Sequence, residues 1–120
     1  MFNRGNRKYY NIGRKRKRDN PEGRLQREII FYLRTLGIPV GKTKTMGVKR
    51  GNVWCYDPFT FRGKCDLECF YNGIMYAIEV KSPTGKMSLE QEEYRQLFHK
   101  PPDRIYLLAK KIEDVTEVIG

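Results

Sequence analysis

Asp66, Glu79 and Lys81 are the residues best placed to do chemistry in this chain, because a short hairpin brings them together. Asn72-Gly73 lies between two strand-like runs, 64–70 and 74–81, and Asn-Gly in that setting marks a two-residue type I′ turn. With those residues as the turn, Tyr71 faces Ile74, Asp66 lies directly opposite Glu79, and Lys64 lies opposite Lys81. Side chains alternate along a strand, so Asp66, Glu79 and Lys81 share one face, together with Glu68 and Phe70. Leu67, Ile78 and Val80 turn to the other face, with Cys65 and Cys69, and that face is apolar as a core face is. Directly opposed residues have Cβ atoms about 5 Å apart. Two ionised carboxylates that close repel, and like charges opposed across strands destabilise a sheet. A divalent cation compensates: Mg2+ takes oxygen ligands, typically one or two carboxylates plus substrate phosphate. Without that cation the same residues read as the polar face of a solvent-exposed strand.

The elements that must position this hairpin are legible on either side of it. Asn20 is a good N-cap and Pro21 suits the first helical position. Leu25, Ile29, Leu33 and Leu36 then repeat at helical spacing until Gly37 and Pro39 end the helix. Glu22 lies on the stripe of Leu25 and Ile29 and so can point towards the sheet; an acid in a first turn also suits the helix dipole. Residues 40–62, rich in Thr, Val, Tyr and Phe and broken by Gly47, Gly51-Asn52 and Pro58, read as one or two strands with a loop. Ser88-Leu89-Glu90-Gln91 is a capping box opening a second helix that runs to about Phe98. That box accounts for Gln91 without any further role, although Gln91 also shares a face with Tyr94 and Phe98. Pro101-Pro102 breaks the chain, 105–109 is a continuous apolar run as in a buried strand, and Ile112, Val115 and Ile119 suit a short last helix. The expected fold is therefore α/β, a mixed central sheet flanked by helices.

Charge points to the partner. The chain carries 24 Lys and Arg against 14 Asp and Glu, a net +10. Eight of the cations lie in the first twenty residues against Asp19 alone, and Arg14, Lys15, Arg16, Lys17 and Arg18 form an unbroken run. Residues 1–19 have no apolar period and read as a flexible basic arm on a folded domain of 20–120. A basic arm on a nearly balanced body suits a polyanion; a solvated tail is the plainer reading, and Tyr9 and Tyr10 could stack on bases. No apolar run approaches the roughly 18 residues of a membrane span, and no apolar segment follows the N-terminal charges as in a secretory signal. Cys55, Cys65 and Cys69 are an odd number without an export signal, which argues against a disulfide framework. With His99 they would make four zinc ligands, but the Cys-x-x-Cys knuckle is missing, so buried thiols are the simpler reading.

Asp66 followed by Glu79-Val80-Lys81 resembles the Asp…Glu-x-Lys signature of the PD-(D/E)XK nucleases. The wider set is similar to the virus-type replication-repair nuclease domain, VRR-NUC: Glu22-Gly23-Arg24-Leu25-Gln26, Gly63-Lys64-Cys65-Asp66-Leu67, Glu79-Val80-Lys81-Ser82-Pro83, and Gly85-Lys86-Met87-Ser88-Leu89-Glu90-Gln91. It spans about residues 20–119. The family's usual Pro before the Asp is Cys65 here, which alters only backbone shape. The resemblance implies a restriction-endonuclease-like core in the order αβββαβα. It implies that Asp66, Glu79 and the Val80 backbone carbonyl bind Mg2+, for which Mn2+ would substitute. Glu22 would reach the metal centre, through water or a second ion. Lys81 would orient the attacking water and steady charge on the phosphate, and Gln91 would contact the site. Beside two carboxylates Lys81 stays charged, which favours electrostatic stabilisation over a literal base.

The function expected is metal-dependent hydrolysis of DNA phosphodiesters by an endonuclease. The resemblance further implies a homodimer acting on branched, Holliday-junction-like DNA in replication, recombination or repair. Arg14–Arg18 and Lys64 would bind DNA. Two alternatives stay open: a non-catalytic nucleic-acid-binding protein that uses the arm, and a restriction-type enzyme that reads a base sequence. Neither an organic cofactor nor a membrane is expected. The expected location is intracellular: cytoplasm or nucleoid for a phage or bacterial protein, nucleus for a eukaryotic one.

Overall fold

The computed structural model describes residues 20–43, 48–55 and 61–120, without the side chains of Val48 and Trp54. The basic arm, with Arg14, Lys15, Arg16, Lys17 and Arg18, lies outside the described residues, as do Gly47 and Pro58. In chain order the elements are α1 (Pro21–Thr35), β1 (Val40–Lys42), β2 (Val48–Arg50), β3 (Val53–Cys55), β4 (Leu67–Tyr71), β5 (Ile74–Val80), α2 (Leu89–Phe98), β6 (Arg104–Ala109) and α3 (Glu113–Thr116).

The β4–β5 hairpin has the expected register, with Leu67 opposite Ile78 and Tyr71 opposite Ile74. Asn72 and Gly73 both have positive φ, 54° and 76°, as a type I′ turn requires. This hairpin is the middle of a four-stranded sheet in the order β1-β4-β5-β6. β1 is antiparallel to β4. β6 is parallel to β5, and a parallel neighbour needs a crossover connection, which α2 supplies. The described residues of 40–62 hold three short strands rather than one or two: β1 joins the sheet, while β2 and β3 pair with each other around Gly51-Asn52. Set apart from that inserted hairpin, the order is αβββαβα.

Both faces of the sheet are covered. On one, Leu25, Ile29 and Leu33 of α1 pack with Leu67, Cys69, Ile78 and Val80 and with Val115 and Ile119 at the C-terminal end. The Asn20 side chain starts α1 by accepting the Gly23 N–H at 3.1 Å, and the Tyr32 hydroxyl ties it to the Ile119 carbonyl at 3.0 Å. On the other face Tyr94 and Phe98 of α2 cover Cys65, Ala77 and Tyr106. Each fully buried aliphatic side chain contributes about 1.5–3 kcal/mol, so the α1 side is the principal core.

Cys65 corrects the strand pattern. Alternation assigns it to the face of Leu67 and Cys69, yet its side chain lies under α2. The cause is a bend at Asp66. The Asp66 N–H donates to Ile78 O, the Thr43 hydroxyl donates to Cys65 O, and regular pairing begins only at Leu67. Period two ends where the ladder ends.

Candidate active site

The bend puts the Asp66 carboxylate where a ladder partner would be. Its Oδ2 accepts the Val80 N–H at 2.8 Å. The N–H and carbonyl of an extended residue face the same neighbouring strand, so the Val80 carbonyl is turned to the edge that Asp66 occupies. Glu79, one residue earlier on β5, is buried at 2% exposure and is the buried charged residue of the described chain. Its Oε2 accepts the Gln91 Nε2 at 3.0 Å and lies 3.5 Å from the Lys81 Nζ. Its Oε1 is buried without a hydrogen-bond partner among the described residues. Burial, and then repulsion from Asp66, push the Glu79 carboxyl from its ordinary 4.5 up to about 7, against the pull of Lys81.

Two helices meet the hairpin at this point. Glu22 of α1 accepts the Ser82 N–H through Oε2 at 3.1 Å, so its carboxylate reaches the end of β5 as well as sitting in a first turn. Gln91 serves both readings given to it. Its Oε1 accepts the Ser88 N–H at 2.8 Å and its own N–H donates to Ser88 Oγ at 3.1 Å, completing the capping box, while its Nε2 holds Glu79. Gly63 lets this happen. It has φ of +69°, and a Cβ there would run into the backbone of Glu90 and Gln91. The loop before Asp66 therefore packs directly on the first turn of α2.

Asp66, Glu79, Lys81, Glu22 and Gln91 are thus gathered at one end of β5. Lys64 does not face Lys81 in the ladder, which begins at Leu67; its ammonium lies 3.7 Å from Glu68. Among the described residues no three acid, Cys or His side chains converge tightly enough to hold a metal alone. The donor set nevertheless fits a hard divalent cation, because a buried carboxylate oxygen of Glu79 lacks a partner beside a second carboxylate, and Mg2+ commonly takes only one or two carboxylates. The zinc reading fails on placement: Cys55 is exposed, while Cys65 and Cys69 are buried on opposite faces of the sheet. Burial raises the Cys65 thiol to about 12 and Cys69 to about 11, and such thiols stay protonated. The His99 Nδ1 accepts the Tyr106 N–H at 3.1 Å, away from the carboxylates.

Sequence reasoning missed Tyr106, whose hydroxyl is buried without a hydrogen-bond partner among the described residues. Tyr106 pairs with Ala77 and so lies diagonally across from Glu79 on the α2 face; burial and the Glu79 charge raise its phenol. The available signal was a tyrosine inside an apolar run, since a buried phenol ordinarily needs a partner. Also missed was the cleft on the Asp66 side, about 520 Å3, which includes Glu22, Arg27, Lys42, Phe61 and Lys64. A second hollow of about 310 Å3 opens on the Lys81 side, with Lys110 and Lys111 on its wall.

The fold is α/β, a four-stranded mixed sheet between helices. A solved structure described as "VRR_NUC domain" matches it with a TM-score of 0.59, covering 83% of this chain and 95% of that chain at 20% identity. At that identity the likeness establishes the fold, in agreement with the ordered motifs in the sequence. No family model matches the chain, and no curated protein matches it.

Proposed function

We propose that the protein is a divalent-metal-dependent DNA endonuclease. The observation that carries this is the Asp66–Glu79 pair: a buried carboxylate with one unpartnered oxygen, a second carboxylate beside it, and the Lys81 ammonium at 3.5 Å. Stability alone disfavours that arrangement. Asp66, Glu79 and the Val80 carbonyl are the ligands proposed for Mg2+ or Mn2+, with Glu22 reaching the centre through water. The bound ion supplies a lowered water pKa and neutralises charge on the phosphate. Val80 fixes the Asp66 carboxylate through its N–H, and Gln91 fixes Glu79. Lys81 orients the attacking water and offsets the charge that grows on the phosphate oxygens.

The arm and Lys64 are proposed to bind the DNA backbone. We also propose a homodimer acting on branched DNA, because one small site cuts one strand and symmetric cutting needs two sites about a two-fold axis. Light scattering at working concentration is expected to show the dimer; a monomer that still makes paired cuts would remove that part of the proposal. The central test is cleavage of linear, nicked, flapped and four-way DNA with and without Mg2+ or Mn2+. Metal-dependent cutting is expected, strongest on the branched forms. Full cleavage by pure protein in excess EDTA would overturn the assignment.

A further inference from the structure

The cleft beside Asp66 combines three features that bare phosphate binding does not require together. Cations stand on two of its walls: Arg27 on α1, and Lys42 and Lys64 on β1 and the loop before Asp66. Glu22 and Asp66 also line it. Phe61, an exposed aromatic in a polar cleft, is 63% exposed. Its ring makes a T-shaped contact with Tyr94, centroids 5.7 Å apart at 65°, which supports one side of it. Gly63 holds the same loop to α2, and Thr43 holds its end to β1. A volume of about 520 Å3 falls in the range of roughly 300–1,000 Å3 usual for small-ligand sites.

We propose that this cleft seats an unpaired nucleotide of the DNA substrate, its base stacked on Phe61 and its flanking phosphates held by Arg27, Lys42 and Lys64. The reading rests on the nuclease assignment and narrows its substrate to strands with an unpaired base next to the cut. A base inside a duplex is stacked on its neighbours and does not offer its face to a side chain; an unpaired or extruded base does. Aromatic stacking tolerates any base, because each has a π-face. Lys64 gives up little when it turns from Glu68 to a phosphate, since a part-exposed ion pair contributes only about 0–1 kcal/mol.

The test uses the full chain in EDTA and an oligonucleotide carrying 2-aminopurine, either in a single-stranded extension beside a duplex or paired within it. The extension form is expected to bind more tightly, and its fluorescence to fall as the base stacks. Phe61→Leu, which keeps an apolar contact with Tyr94, is expected to lose the quench and weaken binding of the extension about tenfold. Phe61→Trp is expected to restore both, and circular dichroism checks that each variant is folded. Equal affinity of the wild type for both forms, or a quench that persists in Phe61→Leu, overturns the proposal. Cleavage with Mg2+ is measured in parallel. Phe61-dependent quenching without cleavage keeps the cleft and sinks the nuclease; metal-dependent cleavage indifferent to Phe61 does the reverse.

Discussion

Glu79→Gln is expected to stabilise the metal-free protein at pH 8 relative to pH 4.5, when each is compared with wild type. The folded carboxyl titrates near 7 and the unfolded one near 4.5, with burial the main cause and Asp66 the second. A raised acid favours its protonated form in the fold. Its stability is therefore complete below pH 4.5 and is lost as pH rises through about 7. At about 1.4 kcal/mol for each pH unit between those values the loss is about 3 kcal/mol, a large part of the roughly 5–15 kcal/mol that holds a domain. Glutamine mimics the neutral acid and can still accept the Gln91 amide. It also removes the ion-pair partner of Lys81, but that pair forms only as the carboxyl ionises and is already contained in the titration near 7, so it adds no separate pH dependence. Urea melts in EDTA at several pH values from 4.5 to 8 are expected to show wild type falling by about 3 kcal/mol more than Glu79→Gln. Adding Mg2+ at pH 8 is expected to restore wild type and leave the variant unchanged. Parallel pH profiles for the two proteins would refute the reasoning.

Asp66→Ala is expected to abolish cleavage while gel shifts show DNA binding equal or tighter, because the change removes a ligand and also a negative charge from the phosphate path. Lys81→Ala is expected to stop cleavage as well but to weaken binding, and this opposite sign separates a site residue from general damage; an active Asp66→Ala protein would mean the site is misassigned. Deleting residues 1–19 is expected to weaken binding and flatten the plot of log affinity against log salt, by about 0.9 for each phosphate that the arm no longer neutralises; an unchanged slope would make the arm a bystander. Tyr106→Phe removes a buried hydroxyl that has no partner among the described residues and is expected to raise stability by about 1–3 kcal/mol in thermal melts. A loss instead would mean that the hydroxyl is bonded in solution.

The Asp66–Glu79–Lys81 group was legible because its geometry follows from local rules. One Asn-Gly turn fixes the register of β4 and β5, which brings Glu79 and Lys81 beside Asp66, although Asp66 itself sits one residue outside the ladder, in the bend. The helix starts at Asn20 and Ser88 were legible for the same reason, since caps are read within four residues. Cys65 was misread because alternation was extended across a bend that depends on Thr43, more than twenty residues away. Phe61, Lys42 and Arg27 come together only when β1, α1 and the loop before Asp66 close on one another, and no spacing in the chain records that. Gln91 could not be decided locally, because the capping box explains it fully and the contact with Glu79 is tertiary.

Gln91 binds two neighbours of opposite polarity, and this restricts what that position can be. Its oxygen must accept from Ser88 and its nitrogen must donate to Glu79, so the amide has one allowed orientation and no freedom to flip. Glutamate would keep the cap but present a third carboxylate to Glu79. Asparagine has the right polarity and too short a reach. Alanine keeps the helix and leaves Glu79 with two unpartnered oxygens apart from Lys81. The opening turn of α2 and the aim of Glu79 therefore form or fray as one event. Hydrogen exchange at the Ser88 and Gln91 amides becomes a clock for how often the site comes undone.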